Sequence, residues 1–251
     1  MKDNIKEIKK LLRSLISRTK NLNFEQHNEM HAFTVSFYKK MIVSAQAILK
    51  LNDNGDSYSG CILASHMMEG LILMMWCLDN PKERIRQYAD YGAVEYLQGH
   101  IKDANDKADI LKFIKEKDVP RFLKSKFQKQ EATDETLLRA DNYCKMWYKL
   151  EVNTINDMVE KLQKDAGVKG VDNIKQMYDL LCAYKHYSPL IMLPRFGTKL
   201  QIPNFDEELA VSSALQSLYI AFMLVNALQS QKVDIDDITK KYHHIEGFNW
   251  I

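Results

Sequence analysis

Tyr58-Ser59-Gly60-Cys61-Ile62-Leu63-Ala64-Ser65-His66-Met67-Met68-Glu69-Gly70-Leu71-Ile72-Leu73-Met74-Met75-Trp76-Cys77-Leu78 carries apolar side chains almost all the way round a helix. Such a stretch is either a central buried helix or a membrane span. Ser65, His66 and Glu69 interrupt it near the middle. A carboxylate at a bilayer centre costs about 2.5 to 3.5 kcal/mol, so we read a buried helix and expect no membrane partner. A carboxylate at the middle of such a helix must then be paired, hydrogen-bonded or protonated.

Helical spacing extends outward on both sides. Ile5, Ile8, Leu11, Leu12, Leu15 and Ile16 recur in steps of three and four, with Lys6, Lys9, Lys10 and Arg13 elsewhere around the helix. Met30, Phe33, Phe37, Met41, Ala45, Ile48 and Leu49 continue the pattern from about 25 to 51, and Asn52-Asp53-Asn54-Gly55-Asp56 ends it as a turn. Pro81 suits the first turn of the next helix, with Ile85, Tyr88, Ala89, Tyr91, Val94 and Leu97. Residues 103–135 are more polar and are broken by Pro120, which predicts a polar excursion with shorter helices. Helix is predicted again over 136–164, over 171–187, and over 206–231 with Asp206 as N-cap. Between the last two, Pro194, Gly197 and Pro203 punctuate a small hairpin or irregular loop near 191–203.

Only 9 Gly and 5 Pro occur in 251 residues, and 46% of residues are hydrophobic against 27% charged. That is the composition of long helices joined by short loops. The expectation is an all-α bundle of about seven to nine helices forming one domain over 1–251. A net charge of +2, from 35 basic and 33 acidic side chains, provides no global field that selects nucleic acid or membrane. Cys61, Cys77, Cys144 and Cys182 form no C-x-x-C pair and read as core residues of a cytoplasmic protein. The first twenty residues lack an apolar h-region, so no export signal is expected.

Gly-rich phosphate loops, nucleophile elbows and H-E-x-x-H are missing. His27 and His31 are four apart, yet Glu29 has the wrong offset for a zinc hydrolase, so we expect no metal and no cofactor. His243 and His244 are adjacent and cannot share a helix face. Three places remain. Glu69 is either a core carboxylate satisfied by Arg84, Arg86, a tyrosine or a backbone group, or an acid, base or ligand anchor. Tyr178-Asp179-Leu180-Leu181-Cys182-Ala183-Tyr184-Lys185-His186-Tyr187-Ser188-Pro189 puts His186 near a helix C-terminus, as a general acid/base or as a cap. Arg84 and Tyr88 share a face of their helix, and Arg86 and Asp90 are spaced to pair. The basic and aromatic run 121–129 is diluted by Glu116, Asp118 and Glu131 and reads as solvated surface.

Glu69, then Arg84 with Tyr88, then Leu180-Leu181-Cys182 followed by His186 and Ser188 resemble an uncharacterised bacterial and archaeal family of helical proteins over residues 58–190. Cys182 stands where that pattern has serine. More distantly, the helix ending in a histidine resembles the HEPN superfamily, many of whose members are metal-independent ribonucleases in toxin and phage-defence systems. Their upstream arginine would fall at Asp179, Leu180 or Leu181, and is absent. The resemblance implies a defence or stress module that binds or cleaves RNA or nucleotides. His186, Glu69 and Lys185 would be the catalytic residues, and Arg84, Tyr88, Tyr184 and Ser188 would contact substrate. Glu69, Tyr88 and His186 would converge on one pocket, in a homodimer formed through an apolar helix face. The alternative is a non-catalytic protein-interaction module, in which Glu69, Tyr88 and His186 form a buried network that fixes helix register.

Overall fold

The structure is a computed structural model that describes residues 2–23, 28–100, 107–116, 119–124, 132–165, 171–186 and 205–244. It is all-α. The α-helices among the described residues are α1 (Lys2–Thr19), α2 (Glu29–Asp53), α3 (Ser57–Asp79), α4 (Pro81–His100) and α5 (Lys107–Glu116), then α6 (Asp134–Leu137), α7 (Ile155–Asp165), α8 (Val171–Lys185), α9 (Phe205–Leu228) and α10 (Asp236–His244). Short 3-10 turns stand at Val119–Phe122, Ala140–Asn142 and Trp147–Leu150. The hairpin expected at 191–203 lies outside the described residues.

The chain forms two compact units, Met1–Trp76 with Val159–Ile251, and Cys77–Met158. In the first, α1, α2 and α9 pack together and α10 lies against α1. All six apolar residues of the α1 stripe are at most 6% exposed, each such burial contributing about 1.5 to 3 kcal/mol. In α2 the later part of the expected stripe, Met41, Ala45, Ile48 and Leu49, is buried, but the first turns differ. His31, Thr34, Val35 and Tyr38 are buried, while Met30, Phe33 and Phe37 are half-buried and the two phenyl rings meet at a tilt of 43°, 4.7 Å apart. Tyr38 decides this register, because its ring packs on Phe222 and its hydroxyl bonds the Thr19 hydroxyl inside the core. Burial pushes the Tyr38 phenol well above its ordinary pKa despite that hydrogen bond.

Both ends of α2 are capped by side chains and geometry visible in the sequence. The Asn28 side chain accepts the His31 amide at 2.9 Å. At the other end Asp56 N–H reaches Leu51 O at 2.9 Å and Gly55 N–H reaches Asn52 O at 3.0 Å, with Gly55 at φ +80°. This is a Schellman stop, whose left-handed residue is glycine because positive φ strains the backbone of any residue with a side chain, although the space around Gly55 is open. Asn28→Ala should destabilise the protein by about 1 kcal/mol, read as a lower urea midpoint with an unchanged m-value. An unchanged midpoint would mean that the cap contributes nothing.

By length and composition α3 and α9 could each cross a membrane, a test that the core helix of a soluble protein also passes. The most apolar window of α9 is 78% buried inside the protein, and that of α3 56%. Gly60 lets α3 approach α9 closely, since a Cβ there would stand 3.3 Å from Ala210 Cβ.

In the second unit, α4 begins at Pro81 as expected and buries Tyr91 and Val94 as their spacing predicts, but its first turns put another face inward. Arg84, Gln87, Asp90, Tyr91 and Val94 are buried, whereas Ile85 and Tyr88 are half-buried and Ala89 is exposed. The polar stretch contributes apolar anchors, because Ile110, Ile114, Val119, Phe122 and Leu123 are all buried. The continuous helix predicted for 136–164 is broken into turns before α7. Cys144 N–H bonds Phe122 O and Lys124 N–H bonds Asn142 O, both at 2.8 Å. This strand-like bridging of Leu123 with Tyr143 holds the backbone out of the helical region. Asp157 then accepts the amides of Asn153 and Thr154 at 3.0 Å, while Thr154 Oγ1 accepts the Asp157 amide. That reciprocal cap starts α7.

Candidate functional site

Glu69 and the end of α8 meet in the first unit. Lys185 Nζ stands 3.3 Å from Glu69 Oε2, with the two side chains 31% and 28% exposed. The carboxylate is paired by Lys185 rather than by an arginine or a tyrosine, and it lies partly exposed rather than buried as its place in an apolar helix suggested. Ile62, Leu63, Glu69, Gly70 and Leu73 form the half-buried side of α3, on which His66 is exposed. His186 is the first residue past α8, its N–H bonded to Cys182 O at 3.0 Å and its side chain exposed. Water reaches both members of the ion pair and the imidazole.

Cys182 and Tyr178 belong to the same face, one and two turns before the end of α8. Burial raises the Cys182 thiol above its ordinary pKa, against a hydrogen bond from Tyr178 and the field of Lys185, while Glu69 and Asp179 push it further up. The thiol is therefore neutral near pH 7 and is no activated nucleophile. Cys182 should react with iodoacetamide at pH 7.5 more slowly than a cysteine in a short unstructured peptide. Alkylation at the peptide's rate, followed by intact-mass spectrometry, would contradict this.

Tyr184 has another role than contacting a substrate in solution. It is 1% exposed, its hydroxyl donates to Asp206 Oδ1 at 2.6 Å, and its carbonyl accepts the Tyr58 hydroxyl at 2.9 Å. These bonds tie α3, α8 and α9 together. Because α9 begins at Phe205, Asp206 stands in its first turn rather than at the N-cap, with its carboxylate spent on Tyr184. Ser188 lies outside the described residues, as does His27.

Arg84 and Tyr88 belong to the second unit. The Arg84 side chain is 9% exposed and lies 2.7 Å from Asp79 and 3.0 Å from Glu151. Its guanidinium is a structural clamp between the end of α3 and the turn after Trp147–Leu150. Tyr88 packs edge-on against Trp147 at 5.7 Å, and burial, with Glu95 adding to it, raises its phenol pKa. The Arg86–Asp90 pair is present at 3.5 Å, but Asp90 also holds Arg121 at 3.0 Å, and Glu83 holds Arg121 at 3.3 Å. Of the run 121–129, the described arginine is thus spent inside its own unit. Residues 125–129 lie outside the described residues.

Among the described residues no group of three or more His, Cys, Asp or Glu side chains is placed to hold a metal. His31 is fully buried, and His243 packs edge-on against Tyr242.

Residues 31–201 match a family of unknown function, DUF5677. The chain belongs to that family. No curated protein and no solved structure matches it. The DUF5677 segment contains Glu69, Arg84, Tyr88, Tyr184, Lys185, His186 and Ser188, whereas α1, α9 and α10 lie outside it. Of these, α1 and α9 nevertheless build the core against which α2 of the DUF5677 segment packs, and α10 lies on α1.

The sequence pattern pointed to Glu69, Lys185 and His186 but missed Tyr178 and His66, which stand on the same two helix faces. A helical projection of residues 62–73 and 178–186 contains the signal, since Tyr178, Cys182, Lys185 and His186 recur in steps of three and four.

Proposed function

We propose that this DUF5677 protein is a HEPN-like helical protein of a bacterial defence or stress module that binds RNA or nucleotides, with the corner between α3 and α8 as its site. One observation carries the reading: an exposed histidine one residue past α8, following a lysine whose ammonium is held by Glu69. With RNA bound there, His186 takes the proton of a ribose 2′-hydroxyl. That oxygen attacks the adjacent phosphorus, the bond from phosphorus to the 5′-oxygen breaks, the leaving oxygen takes a proton from water, and His186 returns its proton to solvent. The products are a 2′,3′-cyclic phosphate and a 5′-hydroxyl, formed without a metal. Lys185 neutralises the phosphate oxygens and Glu69 orients it. Self-association and a cytoplasmic location belong to the same proposal. Val43 on α2 and Met223 on α9, 65% and 43% exposed, support a contact through apolar helix faces.

A second reading has its own support. Arg84 and Tyr184 have their polar groups spent on neighbouring side chains, which is what a non-catalytic interaction module with a structural polar network would display.

The two readings separate by incubating end-labelled RNA with the purified protein in EDTA, with His186→Ala prepared in parallel. Cleavage that disappears in a folded His186→Ala variant supports the ribonuclease. Absence of cleavage together with absence of binding, across several RNAs, moves the assignment to the interaction module.

A further inference from the structure

A concavity lies in the first unit, away from the residues of the α3–α8 corner and made of α1 and α10, both outside the family match. It has a volume of about 260 Å³ and is lined by Glu7, Lys10, Leu11, Ser14, Asp237, Ile238 and Lys241. Leu11 and Ile238, 5% and 1% exposed, supply apolar walls. Ser14 is half-buried, and its hydroxyl has no hydrogen-bond partner among the described residues.

The charges at the rim are unevenly matched. Asp237 is taken by Arg18 through both carboxylate oxygens, and that hydrogen bond holds its carboxyl below the usual range. Lys9 points to another side of α1, where it pairs with Asp53 and Glu207. Lys10, on α1, and Lys241, on α10, carry no ion pair among the described residues, and Glu7 is likewise unpaired. Two ammonium groups face one carboxylate, leaving one net positive charge over an apolar floor with a hydroxyl donor beside it.

We infer that this groove binds a small organic carboxylate with an apolar body. The carboxylate lies between Lys10 and Lys241 and accepts from Ser14, and the body rests on Leu11 and Ile238. A monoanion matches the single excess charge, whereas a phosphate dianion exceeds it and leaves the apolar floor uncovered.

The full-length protein, labelled with ¹⁵N, is titrated with benzoate, hexanoate and the uncharged benzamide. The expected result is a saturable one-to-one shift of the Leu11, Ser14, Ile238 and Lys241 amides with at least one carboxylate, and binding of benzamide weaker by roughly tenfold. Lys241→Gln, a change of an exposed side chain, should weaken carboxylate binding by roughly fivefold, the value of one exposed charge pair. Ser14→Leu, which fills the groove, should abolish it. Shifts that never saturate, benzamide binding as tightly as benzoate, or undiminished affinity in Lys241→Gln would each overturn the assignment. RNA cleavage plays no part in these readouts.

Discussion

Arg84→Ala is expected to cost the second unit about 3 kcal/mol, the lower end of the range for removing one partner of a buried ion pair. The lower end applies because the two carboxylates left behind are not fully dry, with Asp79 27% and Glu151 25% exposed. The loss comprises two charge-assisted contacts and the repulsion between carboxylates that the guanidinium now separates. Arg84→Lys should recover only part of it, since an ammonium cannot reproduce the fork that meets both acids. Asp79→Asn placed on the Arg84→Ala background should restore some stability by removing that repulsion. Urea denaturation followed by the emission of Trp147, a 5% exposed residue of the same unit, is the measurement. A change below about 0.5 kcal/mol, the scatter of surface substitutions, would mean that the clamp is idle. If RNA binding were then lost in the same variant, Arg84 would return as a substrate contact.

Phe222→Ala should be at least as severe in the first unit, at about 3 to 5 kcal/mol. Phe222 is fully buried on α9, with its ring 5.9 Å from that of Tyr38. Removing it leaves a void where α2 and α9 pack, and Tyr38 cannot follow inward without giving up its bond to Thr19. The neighbouring Met223 is 43% exposed, so Met223→Ala should stay within about 0.5 kcal/mol. Trp76, 1% exposed in the same unit, reports both. Equal midpoints for the two variants would show that the interior at Phe222 collapses around the deletion or that this face is not packed as described.

The α1 stripe, the stop at Gly55, the start of α4 at Pro81 and the all-α class follow from local rules, because side-chain period, glycine at positive φ and proline at a first turn act within a few residues. That Glu69 takes a partner followed equally from its apolar neighbours in sequence, although its side chain is 28% exposed rather than buried. Which partner it takes did not follow, since Lys185 lies 116 positions away and no local rule couples them.

The same division explains the errors of register. In the first turns of α2 and α4 the apolar residues offered one inward face and the protein uses another, whereas Met41, Ala45, Ile48 and Leu49 of α2 and Tyr91 and Val94 of α4 are buried as their spacing predicts. In α2 the Tyr38–Thr19 hydrogen bond places a tyrosine inside, and in α4 the carboxylates of Asp79 and Glu151 make burial of Arg84 favourable. Residues 136–153 have apolar spacing compatible with helix, yet the backbone bonds of Cys144 to Phe122 and of Lys124 to Asn142 take them into turns.

At the candidate site, the sequence by itself determined that a carboxylate stood in an apolar helix and that a histidine followed the last turn of another. Only the tertiary structure decided that Lys185 bridges to that carboxylate, that Tyr184 is spent on Asp206, and that Arg84 is clamped between two acids. Periodicity and capping are properties of neighbouring residues, whereas the pairing of charges and phenols depends on which helices pack together, a choice made by the whole chain.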